Sequence, residues 1–259
     1  MEYNKEIDSK RLNAIKARFD SNLVYQEHLS RYNFVMKFIK DKFILDSGCG
    51  IGNGTYNLSL EANKVIGTEL DRDRLRCAFD NFSNNNISYL AMDGCLLGFK
   101  DSIFDIAVSL EVIEHLEDQD KFVSEVKRVL KNDGIAIIST PNKEVVKIEG
   151  TALNPSHIKE LTFKEFKKML NKYFREIEFY GQKRAKGIKG MSGIIHRFIR
   201  IIDIFRIRKL FSQNYRNKIS SKIAKSTGAK ETADITAKDF EISKTRVGSA
   251  RNIIAICKR

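Results

Sequence analysis

From residue 42 to residue 180, short apolar runs alternate with stretches whose apolar positions recur every three or four residues. The first pattern predicts buried strands and the second amphipathic helices. Strands are predicted at 42–46, Lys64–Glu69, Ile87–Met92, Phe104–Leu110, Ile135–Ser139 and Arg175–Tyr180, with a last one at Asn252–Cys257. Helices are predicted at Thr55–Ala62, Asp71–Asn81 and Asp118–Leu130, the last turning Phe122, Val126, Val129 and Leu130 inward. Thr162 and Glu165 have capping-box spacing and open a further helix. Asn132-Asp133-Gly134 reads as a turn, and Pro141-Asn142 closes the fifth strand. Ahead of the first strand, Leu23, Glu27, His28, Arg31 and Tyr32 recur at helical spacing, so residues 1–40 read as helical. Alternation of this kind argues for an α/β fold, doubly wound around a seven-stranded, mostly parallel sheet.

The rhythm breaks between the last two predicted strands. Gly187, Gly190 and Gly193 recur every third residue, and residues 194–211 follow as IIHRFIRIIDIFRIRKLF. On a helical wheel its apolar side centres on Phe198, Ile201, Ile202 and Phe205, against His196, Arg197, Arg200 and Asp203. Ile204 and Ile207 fall on the polar side. The chain therefore divides into an N-terminal helical cap (1–40), a core made of 41–182 plus 241–259, and a basic helical insertion (183–240).

Charge sharpens that division. Residues 183–230 hold 14 Lys and Arg against a single acid, Asp203, and so carry all of the net +13 of the chain. A basic amphipathic helix suits an anionic membrane surface, and its charge also suits RNA phosphates. A third reading makes it a lid over a substrate. Replacing Ile201 and Phe205 with Ser is then expected to abolish liposome binding if the membrane reading holds. Elsewhere the 259 residues are ordinary for one large domain. No apolar run reaches ~18 residues and no apolar signal core opens the chain, so a cytoplasmic location is expected. Cys49, Cys77, Cys95 and Cys257 lie far apart and read as reduced, buried thiols, neither a disulfide frame nor a zinc site.

The chemistry gathers at ILDSGCGIGNGT, residues 44–55, where Gly48, Gly50, Gly52 and Gly54 alternate behind an acid, Asp46. A strand, a glycine turn and a helix make a cofactor crevice at a sheet's carboxyl edge. The spacing fails the G-x-G-x-x-G of nucleotide folds, since Asn53 or Thr55 stands where the third glycine belongs. A leading acid suits a cationic ligand better than a pyrophosphate.

Asp46-x-Gly48-x-Gly50-x-Gly52 after an apolar strand resembles the first motif of class I S-adenosylmethionine (AdoMet) methyltransferases, which are Rossmann-like. Glu69, 23 residues on, resembles the acid that takes the ribose hydroxyls, and Asp93-Gly94 the pair that receives the adenine amino group. SLEVIEHLED and RVLKNDGIAIISTPN resemble the fourth and fifth motifs. The resemblance covers about residues 25–181 plus the final strand. It implies AdoMet as cofactor, bound by Arg31, Asp46, Gly48, Cys49, Gly50, Gly52, Glu69, Leu70, Asp93, Gly94 and Glu111. Arg31 would pair with the cofactor's carboxylate, and His28 and Tyr32 would border the active site. YQEHLSRYNF before the first strand resembles bacterial enzymes acting on sugars, glycan precursors and other small metabolites.

Methyl transfer to a hydroxyl, or less readily an amine, needs a base, and His115, Glu114 and His157 are the candidates. The acceptor expected from the resemblance is a small molecule or saccharide, and the basic insertion adds an anionic membrane surface, met through 194–211, as a partner to test. No metal is assigned. Two alternatives stand beside this reading. Glu111-x-x-Glu114-His115 with His157 resembles the metal-binding set of small-RNA 2′-O-methyltransferases, although the same string resembles metal-free ubiquinone-pathway O-methyltransferases. The chain would otherwise be a catalytically silent, AdoMet-binding accessory protein.

Overall fold

The computed structural model describes residues 11, 13–15, 22–149, 156–184 and 234–259. Helix α1 (Asn22–Val35) precedes strand β1 (Phe43–Ser47). Then follow α2 (Asn53–Leu58), β2 (Lys64–Glu69), α3 (Arg72–Asn81), β3 (Ile87–Ala91), β4 (Phe104–Leu110), α4 (Gln119–Val129), β5 (Leu130–Pro141) and α5 (Lys143–Glu149). Helix α6 (Phe163–Leu170), β6 (Glu176–Arg184), β7 (Phe240–Ser243) and β8 (Asn252–Lys258) complete the described elements.

One sheet holds all eight strands in the order β3-β2-β1-β4-β5-β8-β6-β7. Strands β1 to β5 pair in parallel, while β8 lies antiparallel between β5 and β6. Side-chain alternation along each strand sends successive residues to opposite faces. Leu45, Ala107, Ile138, Ile253 and Ala255 face one apolar layer, closed by Phe122, Val126 and Val129 of α4 and by Phe166 and Leu170 of α6. Ile44, Val108, Ile137, Ile254 and Ile256 face the other, closed by Tyr32, Phe34 and Val35 of α1 and Leu58 of α2. A sheet buried on both faces explains why its strands read as continuous apolar runs.

Five expectations need correction. The sheet has eight strands and not seven, because β7 pairs antiparallel with the end of β6. That pairing also moves the borders of the inserted region: β6 runs on to Arg184, and Ala237–Asp239 form a capped 3₁₀ turn leading into β7. Asn132-Asp133-Gly134 is not a free turn but the bulged start of β5. Phe104 pairs with Leu130 and Ile106 already with Ile135, and Lys131 reaches Asp105 at 2.8 Å. The helix expected at Thr55–Ala62 is a shorter one that begins at Asn53. All four cysteines are free, but Cys77 and Cys95 are only partly buried.

The predicted helix at 194–211 and nearly all of the basic segment lie outside the described residues. No helix among the described residues is long and apolar enough to cross a membrane.

Candidate active site

The glycine turn is built for two separate ends. Gly48, Gly50 and Gly52 all take positive φ, at 80°, 57° and 83°. A Cβ on Gly48 would stand 2.4 Å from Val112, and one on Gly52 would stand 2.6 Å from Ala78. Gly54 lies under the Tyr32 ring, 2.0 Å from where a Cβ would be. These three are glycines because protein crowds them. Gly50 differs: nothing lies within 4 Å of its Cβ position, so its backbone borders open space. It is the place where a ligand could approach the main chain.

Asp46 explains the acid in front of the turn. It is buried, accepts a hydrogen bond from Thr55 Oγ1 at 2.6 Å and longer ones from the Tyr32 hydroxyl at 3.4 and 3.5 Å. It thus pins β1, the start of α2 and helix α1 together. Burial pushes its carboxyl up to about 6, against the two hydroxyl donors, which favour the anion. A cation arriving beside it would relieve that cost.

The turn is closed from β2. Gly48 and Cys49 N donate to Thr68 O at 2.8 and 2.9 Å, and Gly50 N donates to Glu69 Oε2 at 3.0 Å. Glu69 Oε1 accepts from Leu70 N and Asp71 N, so three backbone donors fix the carboxylate at the strand end. Asp71 caps α3 through Asp73 N and Arg74 N. Beyond β3, Asp93 Oδ1 holds Cys95 N at 2.8 Å. Two large apolar side chains, Leu70 and Leu96, are about two-thirds exposed next to these acids. An acid-lined, cation-seeking edge with exposed leucines fits a sulfonium nucleoside, whose amino and hydroxyl groups need acceptors and whose base needs an apolar wall.

Strand β4 delivers the rest. Glu111 follows it with φ 59°, an uncommon conformation for a non-glycine residue. Its Oε1 accepts from Ser139 Oγ at 2.8 Å, and its Oε2 lies 3.8 Å from Arg31. Arg31 is buried and also donates to Gln182 Oε1 at 2.6 Å. Gln182 in turn donates to Glu27 O and Ser30 Oγ, and Asn252 Nδ2 donates to Gln182 Oε1. This polar network ties α1 to β6 and β8. His28 meets Arg31 at 3.3 Å and packs edge-on against Tyr32.

Glu114 is fully buried in the short turn Ile113–His115. Burial first, and the nearby Glu111 charge second, push its carboxyl well above the usual range. His115 Nδ1 lies 2.8 Å from Ser156 O, and burial holds its imidazole below its ordinary value. His157 Nδ1 lies 2.7 Å from Glu160 Oε1, and the two rings meet at right angles with centroids 4.8 Å apart.

The structure therefore gathers Arg31, Asp46, the glycines, Glu69, Leu70, Asp93, Gly94 and Glu111 along the carboxyl edge of β1–β4, with Glu114, His115 and His157 beside them. Leu96, Ser139, Gln182 and Glu160 escaped sequence reading. Ser139 sits within the fifth motif and Leu96 lies two residues past Asp93-Gly94, neither with a pattern of its own. Gln182 and Glu160 act only through long-range or local pairing that no spacing reveals.

The fold is of the Rossmann-like, doubly wound class, and the methyltransferases it resembles give S-adenosyl-L-methionine as its cofactor. Residues 45–138 match a family described as a methyltransferase domain. The chain is 31% identical to the "Probable S-adenosylmethionine-dependent methyltransferase" of Mycolicibacterium smegmatis, over 61% of this chain and 62% of that one. It is 28% identical to the mitochondrial ubiquinone biosynthesis O-methyltransferase of Dictyostelium discoideum, over 57% of this chain and 50% of that one. The chain thus spans half to two thirds of the length of these curated relatives. A SAM-dependent methyltransferase structure from Thermotoga maritima superposes with a TM-score of 0.59 at 14% identity, covering 89% of both chains.

Proposed function

We propose that the chain transfers the methyl group of AdoMet to a hydroxyl, ahead of an amine, on a small molecule such as a sugar or glycan precursor. The observation that supports this reading is the pair of imidazoles, His115 and His157, whose ring centroids lie 4.8 Å apart just beyond the end of β4. Both engage Nδ1 in a hydrogen bond, and no hydrogen bond among the described residues uses Nε2. A neutral imidazole with a free Nε2 can take the acceptor's proton. Bound AdoMet supplies an electrophilic methyl on a good leaving group. This chain's part is then to hold the acceptor in line and remove its proton. The O-methyltransferase named among the relatives agrees with a hydroxyl acceptor.

Label transfer tests the proposal. Purified protein and methyl-labelled AdoMet are added to a lysate of the source cell lacking the gene, and the products are fractionated. Counts in small-molecule, saccharide or lipid fractions, lost in a His115→Ala, His157→Ala double variant that still binds S-adenosylhomocysteine, are the expected result. Counts confined to RNA overturn the acceptor class, and no counts anywhere overturn the activity.

A further inference from the structure

Two arginines, Arg184 and Arg251, flank a part of the sheet edge that the cofactor residues leave free. Strand β8 runs antiparallel between β5 and β6, so its start lies beside their ends. Pro141 pairs with Asn252, and Asn252 with Gln182. Arg251 stands one residue before that row, held by Asn142 N, which donates to Arg251 O at 2.7 Å. Arg184 stands two residues beyond Gln182, at the end of β6. Both therefore lie at the carboxyl edge of β5, and open α/β sheets take their ligands outside that edge.

The two guanidinium groups share one carboxylate. Glu27 Oε2 lies 3.3 Å from Arg184 Nη2, and Glu27 Oε1 lies 3.5 Å from Arg251 Nε and accepts from Asn252 Nδ2 at 3.2 Å. Glu27 is buried on α1, four residues before Arg31, which is about 6 Å along the helix axis. Arg31 itself is engaged with Glu111 and Gln182. Arg184 still has a donor to spend. Its Nε is buried with no hydrogen-bond partner, and the nearby Gln182 Oε1 already receives Arg31 and Asn252. A buried N–H with nothing to accept it is costly. The Nε–Nη2 edge of a guanidinium is a fork that matches two oxygens of one phosphate. Here Glu27 takes one prong, at 3.3 Å, and the other prong is unspent. The side chains of Arg184 and Arg251 are 19% and 20% exposed, so a small anion can reach them.

We propose that Arg184 and Arg251 form a subsite for a phosphate group, with Glu27 as the positioning carboxylate that holds both guanidinium groups until the anion arrives. A phosphate monoester brings up to two negative charges and three acceptor oxygens, against the single charge of Glu27. Its oxygens would fill both prongs of the Arg184 fork. The substrate class rests on the methyl-transfer reading above: the phosphate would belong to the acceptor, which would then be a phosphorylated sugar or a similar phosphate monoester.

Binding of inorganic phosphate to the full chain tests the subsite without acceptor or methyl transfer. Calorimetric titration at constant ionic strength, with chloride as the blank, should show one site that persists in saturating S-adenosylhomocysteine. Arg184→Lys keeps the charge but loses the fork, and should weaken phosphate by at least ~10-fold. Glu27→Gln removes the competing carboxylate and should tighten phosphate severalfold, and adding Arg184→Gln to it should cancel that gain. S-adenosylhomocysteine binding by each variant shows that the fold is retained. Absence of phosphate-specific binding in the wild-type chain, unchanged affinity in Arg184→Lys, or displacement of phosphate by S-adenosylhomocysteine overturns the subsite. Phosphate binding without any methylated product would keep the subsite and remove the acceptor reading. Methylated product without phosphate binding would do the reverse.

Discussion

Single residues in the turn carry distinguishable duties. Gly50→Ala would place a methyl group in open space on a left-handed backbone, at a cost of ~1–2 kcal/mol. Gly54→Ala would drive a methyl into the Tyr32 ring, which is buried and hydrogen-bonded to Asp46. Overpacking at such a position costs on the order of 1–3 kcal/mol or more. Gly54→Ala is therefore expected to lower the unfolding midpoint more, whereas Gly50→Ala should weaken S-adenosylhomocysteine at least tenfold by calorimetry with a smaller loss of stability. Wild-type affinity in Gly50→Ala would remove the ligand-facing role of that residue. Asp46 gives a pH prediction. Its folded carboxyl titrates near 6, above the 3.8 of the free group, so the folded state holds the extra proton between those values. Stability contributed by the protonated form is present below about 4 and falls as pH rises to about 6. At neutral pH the cost is on the order of 3 kcal/mol. The difference in stability between Asp46→Asn and the wild type, measured by urea unfolding, should move in favour of the variant across that window. A pH-independent difference would mean that Asp46 is not held protonated. The sequence placed this acid in front of the turn, but only the fold shows that it faces Thr55 and Tyr32.

At the scale of elements, legibility followed buried periodicity. Strands β2 and β4 lie where their apolar runs end, and the α4 residues Phe122, Val126 and Val129 are all buried as their spacing implies. The Thr162–Glu165 capping box forms in full, with Glu165 Oε2 accepting from Thr162 N at 2.8 Å. Thr162→Ala should cost about 1 kcal/mol in chemical unfolding, and no measurable change would show the helix held by Phe166 and Leu170 alone. What escaped was structure made by partners distant in sequence. Phe240-Glu241-Ile242-Ser243 is too short to announce itself and becomes a strand because β6 offers an edge. The bulge at the start of β5 resembles a turn locally, since glycine and two polar residues stand there; Lys131–Asp105 pairing and the adjoining β4 draw it into the sheet. The network around Gln182 joins residues 27, 30, 31, 182 and 252, which no local pattern could connect.

For the molecule as a whole, the sheet order places β2 on one side of β1 and β4 on the other. The chain winds outward in both directions from that boundary, and ligands of open α/β sheets bind at the carboxyl ends there. The residues proposed for the cofactor, Arg31 of α1 apart, lie at or just beyond the ends of β1 to β4, while β6, β7 and β8 build the opposite flank through antiparallel pairing and reach Arg31 only through the Gln182 and Asn252 contacts. Ligand binding should therefore stabilise the chain unevenly. At a ligand concentration of a hundred times its dissociation constant, S-adenosylhomocysteine adds about 2.7 kcal/mol. For a chain of this size that raises the unfolding midpoint by roughly 5–10 °C. Hydrogen exchange should slow first at residues 46–56, 68–71 and 93–96, where the turn and the two acid-bearing strand ends lie, and least at the β6–β7 pair. Uniform protection across the sheet would mean that the ligand tightens the whole fold. Protection centred on β6 and β7 would move the cofactor site to the other flank and undo the assignment of Asp46, Glu69 and Asp93.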